Sequence, residues 1–412
     1  MATPPTFVIA GASLAGAKAA ETLRSRGFEG RVVLIGDETE RPYERPPLSK
    51  GYLRGEVERH KVYVHDEGFY ADQGIELRTA TRVQSIQLQE HKVTLDGGEG
   101  IQYDRLLLAT GAAPKRLSTP GSALGGVRYL RTLADSDGLA EALGQASGVA
   151  VIGAGWIGAE VAASARQLGR EVAMVAPDTV PMQRALGPEV GAVYRDLHAD
   201  HGVELHLGTG VEAFLGSERV EEVRLSDGSV LAADLVVVGV GASPRIELAA
   251  AAGLEVADGV VVDAFLRASD PDVYAAGDVA SAFHPGFGTR IRVEHWANAL
   301  NQGPAAALNM LGVPTPYERV PYFYSDQYDL GMEYSGYAPR WDQVVFRGDP
   351  ARRQFIAFWL SGDRVLAGMN ANVWDVSEPI QRLIRERVAV DPERLADPDV
   401  PLEALAENSK RA

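Results

Sequence analysis

The chain of 412 residues contains no cysteine. That excludes disulfides, thiolate metal sites and redox chemistry carried by a protein thiol. No apolar run reaches transmembrane length; Leu235-Val236-Val237-Val238-Gly239-Val240 is the size of a buried strand. Basic residues are in the minority, with 40 Lys and Arg against 56 Asp and Glu, for a net charge of −16. A uniformly acidic surface repels phosphates, so no nucleic-acid partner is expected. The N-terminus lacks the charged segment and cleavage site of a signal peptide. A cytoplasmic location with no membrane association is the expectation. Also missing are G-x-S-x-G, H-E-x-x-H, a Walker A and an EF-hand loop. No metal site is expected, and the eight histidines are scattered.

What the chain does have is two glycine turns of one kind. Val149 to Ile152 is an apolar β-type run entering Gly153-Ala154-Gly155-Trp156-Ile157-Gly158, and an alanine-rich helical run leaves it. This is the dinucleotide-binding G-x-G-x-x-G in its strand–turn–helix setting. The first glycine makes the tight turn, the second admits a pyrophosphate, and the third lets helix pack on strand. The chain opens the same way with Phe7-Val8-Ile9-Ala10, then Gly11-Ala12-Ser13-Leu14-Ala15-Gly16. Ser13 stands where the second glycine is expected. Each turn is followed by a hairpin signal and a buried strand ending in glycine, Leu106 to Gly111 and Leu235 to Gly241. The repeat at domain scale points to two related nucleotide-binding domains.

In the first unit, strand Val32 to Ile35 leads to Asp37 and Glu38, about twenty residues past the turn, where an adenosine ribose is gripped. In the second, strand Glu171 to Val175 is followed by Asp178, which leans the choice toward NADH, and by Arg184, which suits a phosphate or a ribose and leaves NADPH open. The loop Arg41-Pro42-Tyr43-Glu44-Arg45-Pro46-Pro47-Leu48-Ser49-Lys50 is rigid by its prolines, and Ser49 is placed to cap a helix. Asp278, in Ala276-Gly277-Asp278, stands at a turn expected to open a helix, as ligand acceptor, N-cap or both. His295, between Glu294 and Trp296, is the one histidine singled out. An aromatic-rich segment begins at about residue 321, and Ser377-Glu378-Pro379 opens a helix there. From Asp391 the Pro/Asp/Glu-rich sequence reads as an extended tail.

These motifs resemble the FAD-dependent NAD(P)H:ferredoxin reductases of oxygenase systems, the putidaredoxin reductase type, and their relative apoptosis-inducing factor. The residues that carry the resemblance are Arg41 to Lys50, Ala109-Thr110-Gly111, the turn Gly153 to Gly158 with Glu160, and Ala276-Gly277-Asp278. It implies an α/β fold with two Rossmann-like dinucleotide-binding domains and a C-terminal α+β domain. The division expected is 1–113 with 245–320 for FAD, 114–244 for NAD(P)H, and 321–412. Gly11 to Gly16, Asp37, Glu38, Arg45, Lys50, Val83, Arg131, Asp278 and Glu294-His295-Trp296 match FAD positions. Gly153, Ala154, Gly155, Trp156, Ile157, Asp178, Arg184 and Gly241 match nicotinamide-nucleotide positions. Lys50 and Glu160 are implied to pair beside the flavin, and Tyr324 stands where relatives often carry tryptophan.

Disulfide reductases of this fold carry a redox cysteine pair after the first domain's second strand. This chain has Pro46-Pro47-Leu48-Ser49-Lys50 in that region. Electrons must therefore leave the flavin directly, to a docked carrier or a small oxidant, and the resemblance implies transfer from NAD(P)H through FAD to a ferredoxin-type iron–sulfur carrier. A redox-responsive interaction protein and an NADH diaphorase or oxidase are the alternatives, and the oligomeric state is open. Arg290, Arg292, Arg340, Arg347, Arg352 and Arg353 are candidates for a basic rim that meets an acidic carrier.

Overall fold

The computed structural model describes residues 4–407, so residues 1–3 and 408–412 of the expected outer domains lie outside it. The chain forms two compact units. One comprises Met1–Glu44, Arg59–Ala113 and Ala242–Pro321; the other comprises Arg45–Glu58, Pro114–Gly241 and Tyr322–Ala412.

The first unit is built on a five-stranded parallel sheet. Its order is Val273–Ala275, Arg105–Leu108, Thr6–Ala10, Arg31–Ile35, Ile75–Arg78. Strands covered on both faces need continuous apolar runs. Val8, Ile9, Leu34, Leu106 and Leu107 supply them, all fully buried. The strand Thr6–Ala10 delivers the chain to the first glycine turn, and helix Leu14–Ser25 leaves it. That helix packs on helix Trp296–Met310 at close range, since a Cβ on Gly303 would lie 2.3 Å from the Ala15 carbonyl oxygen.

The second unit repeats the plan. Its parallel sheet runs Glu204–Leu207, Glu171–Ala176, Gly148–Ile152, Leu235–Val238, Val127–Tyr129. In both sheets the strand entering the glycine turn lies between the strand that follows it and the strand after the hairpin. The duplication read from the sequence is therefore a duplication of topology. The same unit holds a five-stranded antiparallel sheet in the order Tyr322–Gln327, Leu330–Gly336, Arg364–Ala371, Gln354–Ser361, Gln343–Asp349. Helix Ser377–Glu386 covers it through Ile380, Leu383 and Ile384, starting where Ser377-Glu378-Pro379 sets it. Helix Gln183–Asp200 breaks at Gly187 (φ 82°, ψ 172°) before Pro188. The Trp359 indole donates to the Leu186 carbonyl there, at 3.0 Å.

Three local expectations are corrected. The stretch after Asp391 is not extended: it forms helices Pro392–Ala396 and Leu402–Glu407. The Arg347 guanidinium gathers the carbonyls of Asp397, Pro398 and Val400 between them. Ser49 does not cap a helix; it ends the short 3-10 helix Pro46–Ser49, and its hydroxyl points elsewhere. The Gly277-Asp278 corner opens no α-helix but a 3-10 turn, Gly277–Val279, that runs into strand Ala280–His284.

Candidate functional site

In the first glycine turn Gly11 has φ 126°, and a Cβ there would lie 2.0 Å from the Ala109 carbonyl oxygen. Its N–H donates to Ile35 at 2.8 Å. A Cβ on Gly16 would meet the Gly11 carbonyl oxygen at 2.0 Å, so the third glycine is also forced. Ser13 is extended, with φ −114° and ψ −163°, a conformation open to any residue. This is why serine stands there without strain. Ser13 is the N-cap of helix Leu14–Ser25, yet its hydroxyl makes no capping bond, and no acid lies in the first turn. Ala12, Leu14 and Ala15 complete a turn whose backbone N–H groups and dipole end suit a pyrophosphate.

Around this turn the first unit brings other expected residues together. Asp278 follows Gly277, whose Cβ would lie 3.2 Å from that of Ala15, and Gly277 N–H donates to Gln302 at 2.8 Å. Asp37 pairs with Arg245 at 3.1 Å and Arg82 at 3.4 Å. Glu38 accepts from the Tyr43 hydroxyl. Val83 begins the strand Val83–Gln87, half-buried. His295 is the N-cap residue of helix Trp296–Met310, and burial pushes its imidazole down to about 4, so it is neutral at pH 7. Glu294 is bound to Arg292 at 2.7 Å. The sequence reading passed over Glu44. Burial raises its carboxyl, moderated by a hydrogen bond from Trp296 and by Lys18. Its place inside the quoted motif was the available signal.

The second turn shows the same constraints. A Cβ on Gly153 (φ 106°) would lie 2.3 Å from Gly239 O, and one on Gly158 would lie 2.0 Å from Gly153 O. Gly155 differs. It is extended (φ −81°, ψ −175°), and a Cβ would meet nothing within 4 Å. Glycine there is required neither by conformation nor by packing within the protein. The open space lies beside an uncapped helix N-terminus, that of Trp156–Gln167, which fits a close-approaching pyrophosphate. Ala154 is buried and Ile157 is exposed; the Trp156 ring stands edge-on to Phe323 (4.9 Å) and Tyr194 (6.0 Å). Asp178 pairs with Arg184 at 3.4 Å, and the Arg184 side chain is 81% exposed. Gly241 has φ 103° and accepts from Lys115 N–H at 2.9 Å. Arg45 donates to the Arg131 carbonyl, and Arg131 N–H donates to Asp135, a residue of the Thr132 capping box.

The strongest polar feature of this unit is Glu160, on helix Trp156–Gln167 and only 4% exposed. Its Oε2 accepts from Lys50 Nζ at 2.9 Å and from the Ser49 hydroxyl; its Oε1 accepts from the Ser325 hydroxyl at 2.7 Å. Lys50 Nζ also lies 5.8 Å from the Tyr324 ring centroid, within cation–π range. Asp326 follows Ser325; burial raises its carboxyl, with Lys50 opposing and Glu160 reinforcing. A buried carboxylate paired with an ammonium and two hydroxyls has a donor on each oxygen, and it can hold a fixed charge next to a ligand.

The glycines that a Cβ would drive into backbone, the uncapped helix ends and the open space at Gly155 fit a dinucleotide at each turn. Among the described residues no helix is long and apolar enough to cross a membrane. The family profile described as pyridine nucleotide-disulphide oxidoreductase matches residues 5–303, and that described as reductase C-terminal matches 322–406. The chain is 41% identical over 402 residues to the 5,5'-dehydrodivanillate O-demethylase ferredoxin reductase subunit of Sphingobium sp., covering 97% of each. It is 40% identical to the ferredoxin–NAD(+) reductase component of the anthranilate 1,2-dioxygenase system of Burkholderia cepacia, covering 97% of this chain and 98% of the other. Among solved structures, the covalent putidaredoxin reductase–putidaredoxin complex matches with a TM-score of 0.94 and 36% identity, over 100% of both chains. With its two nucleotide-binding turns and a C-terminal reductase domain, and without a single cysteine, this chain belongs to the pyridine nucleotide-disulphide oxidoreductase family, as an oxidoreductase of the ferredoxin reductase type.

Proposed function

We propose that this protein passes electrons from NADH, through FAD, to a ferredoxin-type iron–sulfur carrier of an oxygenase system. The observation that carries the reading is a pair of uncapped glycine turns in a chain with no cysteine. Two dinucleotides have a place, and no thiol can receive the electrons. FAD, when bound, links a two-electron donor to one-electron acceptors. The protein's part is to bind and orient. The turn Gly11 to Gly16 takes the FAD pyrophosphate, with Asp37 and Glu38 toward the adenosine and Asp278 with Glu294-His295-Trp296 completing the first unit's share. Gly153 to Ile157 take the pyrophosphate of NADH, and Asp178 accepts from its ribose. Arg45, Val83, Arg131, Arg184 and Gly241 are assigned as supporting cofactor contacts, and Lys50 and Glu160 as the charged pair that acts at the flavin. The domain division is 1–113 with 245–320, 114–244, and 321–412, and the location is cytoplasmic.

NADH is preferred because the Asp178 carboxylate repels a 2′-phosphate, although its partner Arg184 reduces that repulsion. The test is steady-state kinetics with both nucleotides and three acceptors: a [2Fe–2S] ferredoxin, a quinone and oxygen. Faster turnover with ferredoxin, at a higher kcat/KM for NADH than NADPH, is expected. Faster turnover with quinone or oxygen than with any ferredoxin overturns the reading.

A further inference from the structure

We propose that Ser325 and Gln327 are positioning residues. With His198 and Tyr328 they form a one-way chain of hydrogen-bond donors that ends on Glu160 and fixes its carboxylate against Lys50. The inference rests on the role just given to Lys50 and Glu160.

Ser325 and Gln327 are two apart on strand Tyr322–Gln327 and so share one face of it. Both are 1% exposed, and His198, on helix Gln183–Asp200, is fully buried. The His198 Nε2 lies 3.0 Å from the Gln327 amide oxygen. That oxygen only accepts, so Nε2 carries the proton. The other nitrogen, Nδ1, is then the acceptor for the Tyr328 hydroxyl at 3.4 Å. The Gln327 amide nitrogen donates to Ser325 Oγ at 3.3 Å, and Ser325 Oγ donates to Glu160 Oε1 at 2.7 Å. Every donor in the series points toward the carboxylate. Aligned in a dry interior, such bonds polarise one another and end where an anion gains most. Burial pushes His198 down to about 4, which agrees with the neutral tautomer the geometry requires.

The chain holds rather than conducts, because an amide in the middle does not relay protons as hydroxyls and imidazoles do. Its physical effect is orientation. Ser49 and Lys50 both act on Oε2, so without Ser325 the other oxygen loses its donor and the carboxylate is free to turn. Buried polar side chains are costly unless fully satisfied. Three in series, with the half-buried Tyr328 at the outer end, where apolar residues would pack more cheaply, indicate a demand on Glu160 rather than on the core.

A double-mutant cycle on the FAD-loaded protein tests this. The readouts are the limiting rate of flavin reduction by NADH in single turnover, the Kd for NAD(+), and FAD retention. Ser325→Ala should lower the limiting rate about tenfold, the lower end of what a hydrogen bond to a charged group carries. Kd and FAD retention should stay unchanged. Ser325→Thr, which keeps the hydroxyl, should restore most of the rate. In a Glu160→Gln background Ser325→Ala should have no further effect, because it acts through Glu160. Gln327→Met, one link further out, should give a smaller loss of the same kind, and it carries the test if Ser325→Ala does not fold. Equal losses in both backgrounds, or parallel losses of FAD and NAD(+) binding, overturn the positioning role. If Glu160→Gln alone leaves the limiting rate unchanged, the role assigned to Glu160 fails, and the proposal with it.

Discussion

Glu160 shows how one residue sets the character of a site. Taking a carboxylate out of water costs several kcal/mol, which is recovered only with a close counter-charge and further hydrogen-bond donors. Lys50, Ser49 and Ser325 meet that demand. Removing one partner of a buried pair costs about 3–5 kcal/mol, because the other charge is left stranded. The pair is asymmetric, since the Lys50 side chain is 12% exposed and that of Glu160 5%. An orphaned Lys50 swings to water more readily than an orphaned Glu160. Lys50→Ala should therefore lower the melting temperature more than Glu160→Gln, and it should slow flavin reduction by NADH more than it weakens FAD binding. Thermal melts and single-turnover kinetics check both; the reverse order of stabilities would show that Glu160 is not the buried charge.

His198 and His295 add a pH dependence, each pushed from 6.5 to about 4 by burial. Above pH 6.5 neither state binds the proton, and nothing is lost. Between pH 6.5 and 4 the unfolded chain binds protons that the folded chain refuses, so stability falls as pH falls. The loss is up to about 3 kcal/mol for each. Melting temperature against pH should slope through this window, and His198→Asn should flatten the slope. An unchanged slope would mean that His198 is protonated in the fold.

At the scale of elements, the two glycine turns separate what the backbone requires from what a ligand requires. Gly158→Ala would force a Cβ to 2.0 Å from a carbonyl oxygen and should destabilise the fold by about 1–3 kcal/mol. Gly155→Ala meets only open space, so it should leave the melting temperature unchanged while weakening NADH binding. Paired melts and NADH titrations decide this; equal loss of stability in both variants would remove the ligand reason for Gly155. These turns were legible in the sequence because glycine's backbone freedom and small size are local requirements. The repeat was legible because each copy carries the same order of apolar runs and turns. Around Glu160 only the partner Lys50 was anticipated, through the resemblance; Ser49 and Ser325 were not, because they stand 111 and 165 residues away. The tail was misread for a related reason. Its composition suggests an extended chain, but Arg347, about fifty residues earlier, binds its carbonyls.

At the scale of the whole molecule, four of the six arginines expected to form a basic rim for carrier docking are bound within the protein, and two of those four are paired with carboxylates. Arg290 donates to the Val262 and Ser281 carbonyls. Arg292 is held by Asp258 and Glu294, and Arg353 by Asp200. Arg347 is committed to the tail. Arg340 and Arg352 remain exposed, Arg352 beside Asp349 at 3.5 Å. With a net charge of −16, long-range approach to an acidic carrier is then repulsive. Raising salt from low ionic strength should speed association, or leave it unchanged, as the repulsion is screened. Slowing would reveal a concentrated basic patch. The electrons pass from a two-electron donor to a one-electron carrier with no protein thiol between. An anaerobic titration follows this route: limiting NADH is added to the FAD-loaded protein with excess oxidised [2Fe–2S] ferredoxin, and both species are followed optically. Two ferredoxins should be reduced for each NADH consumed; NADH consumption without ferredoxin reduction would contradict electron transfer to the carrier.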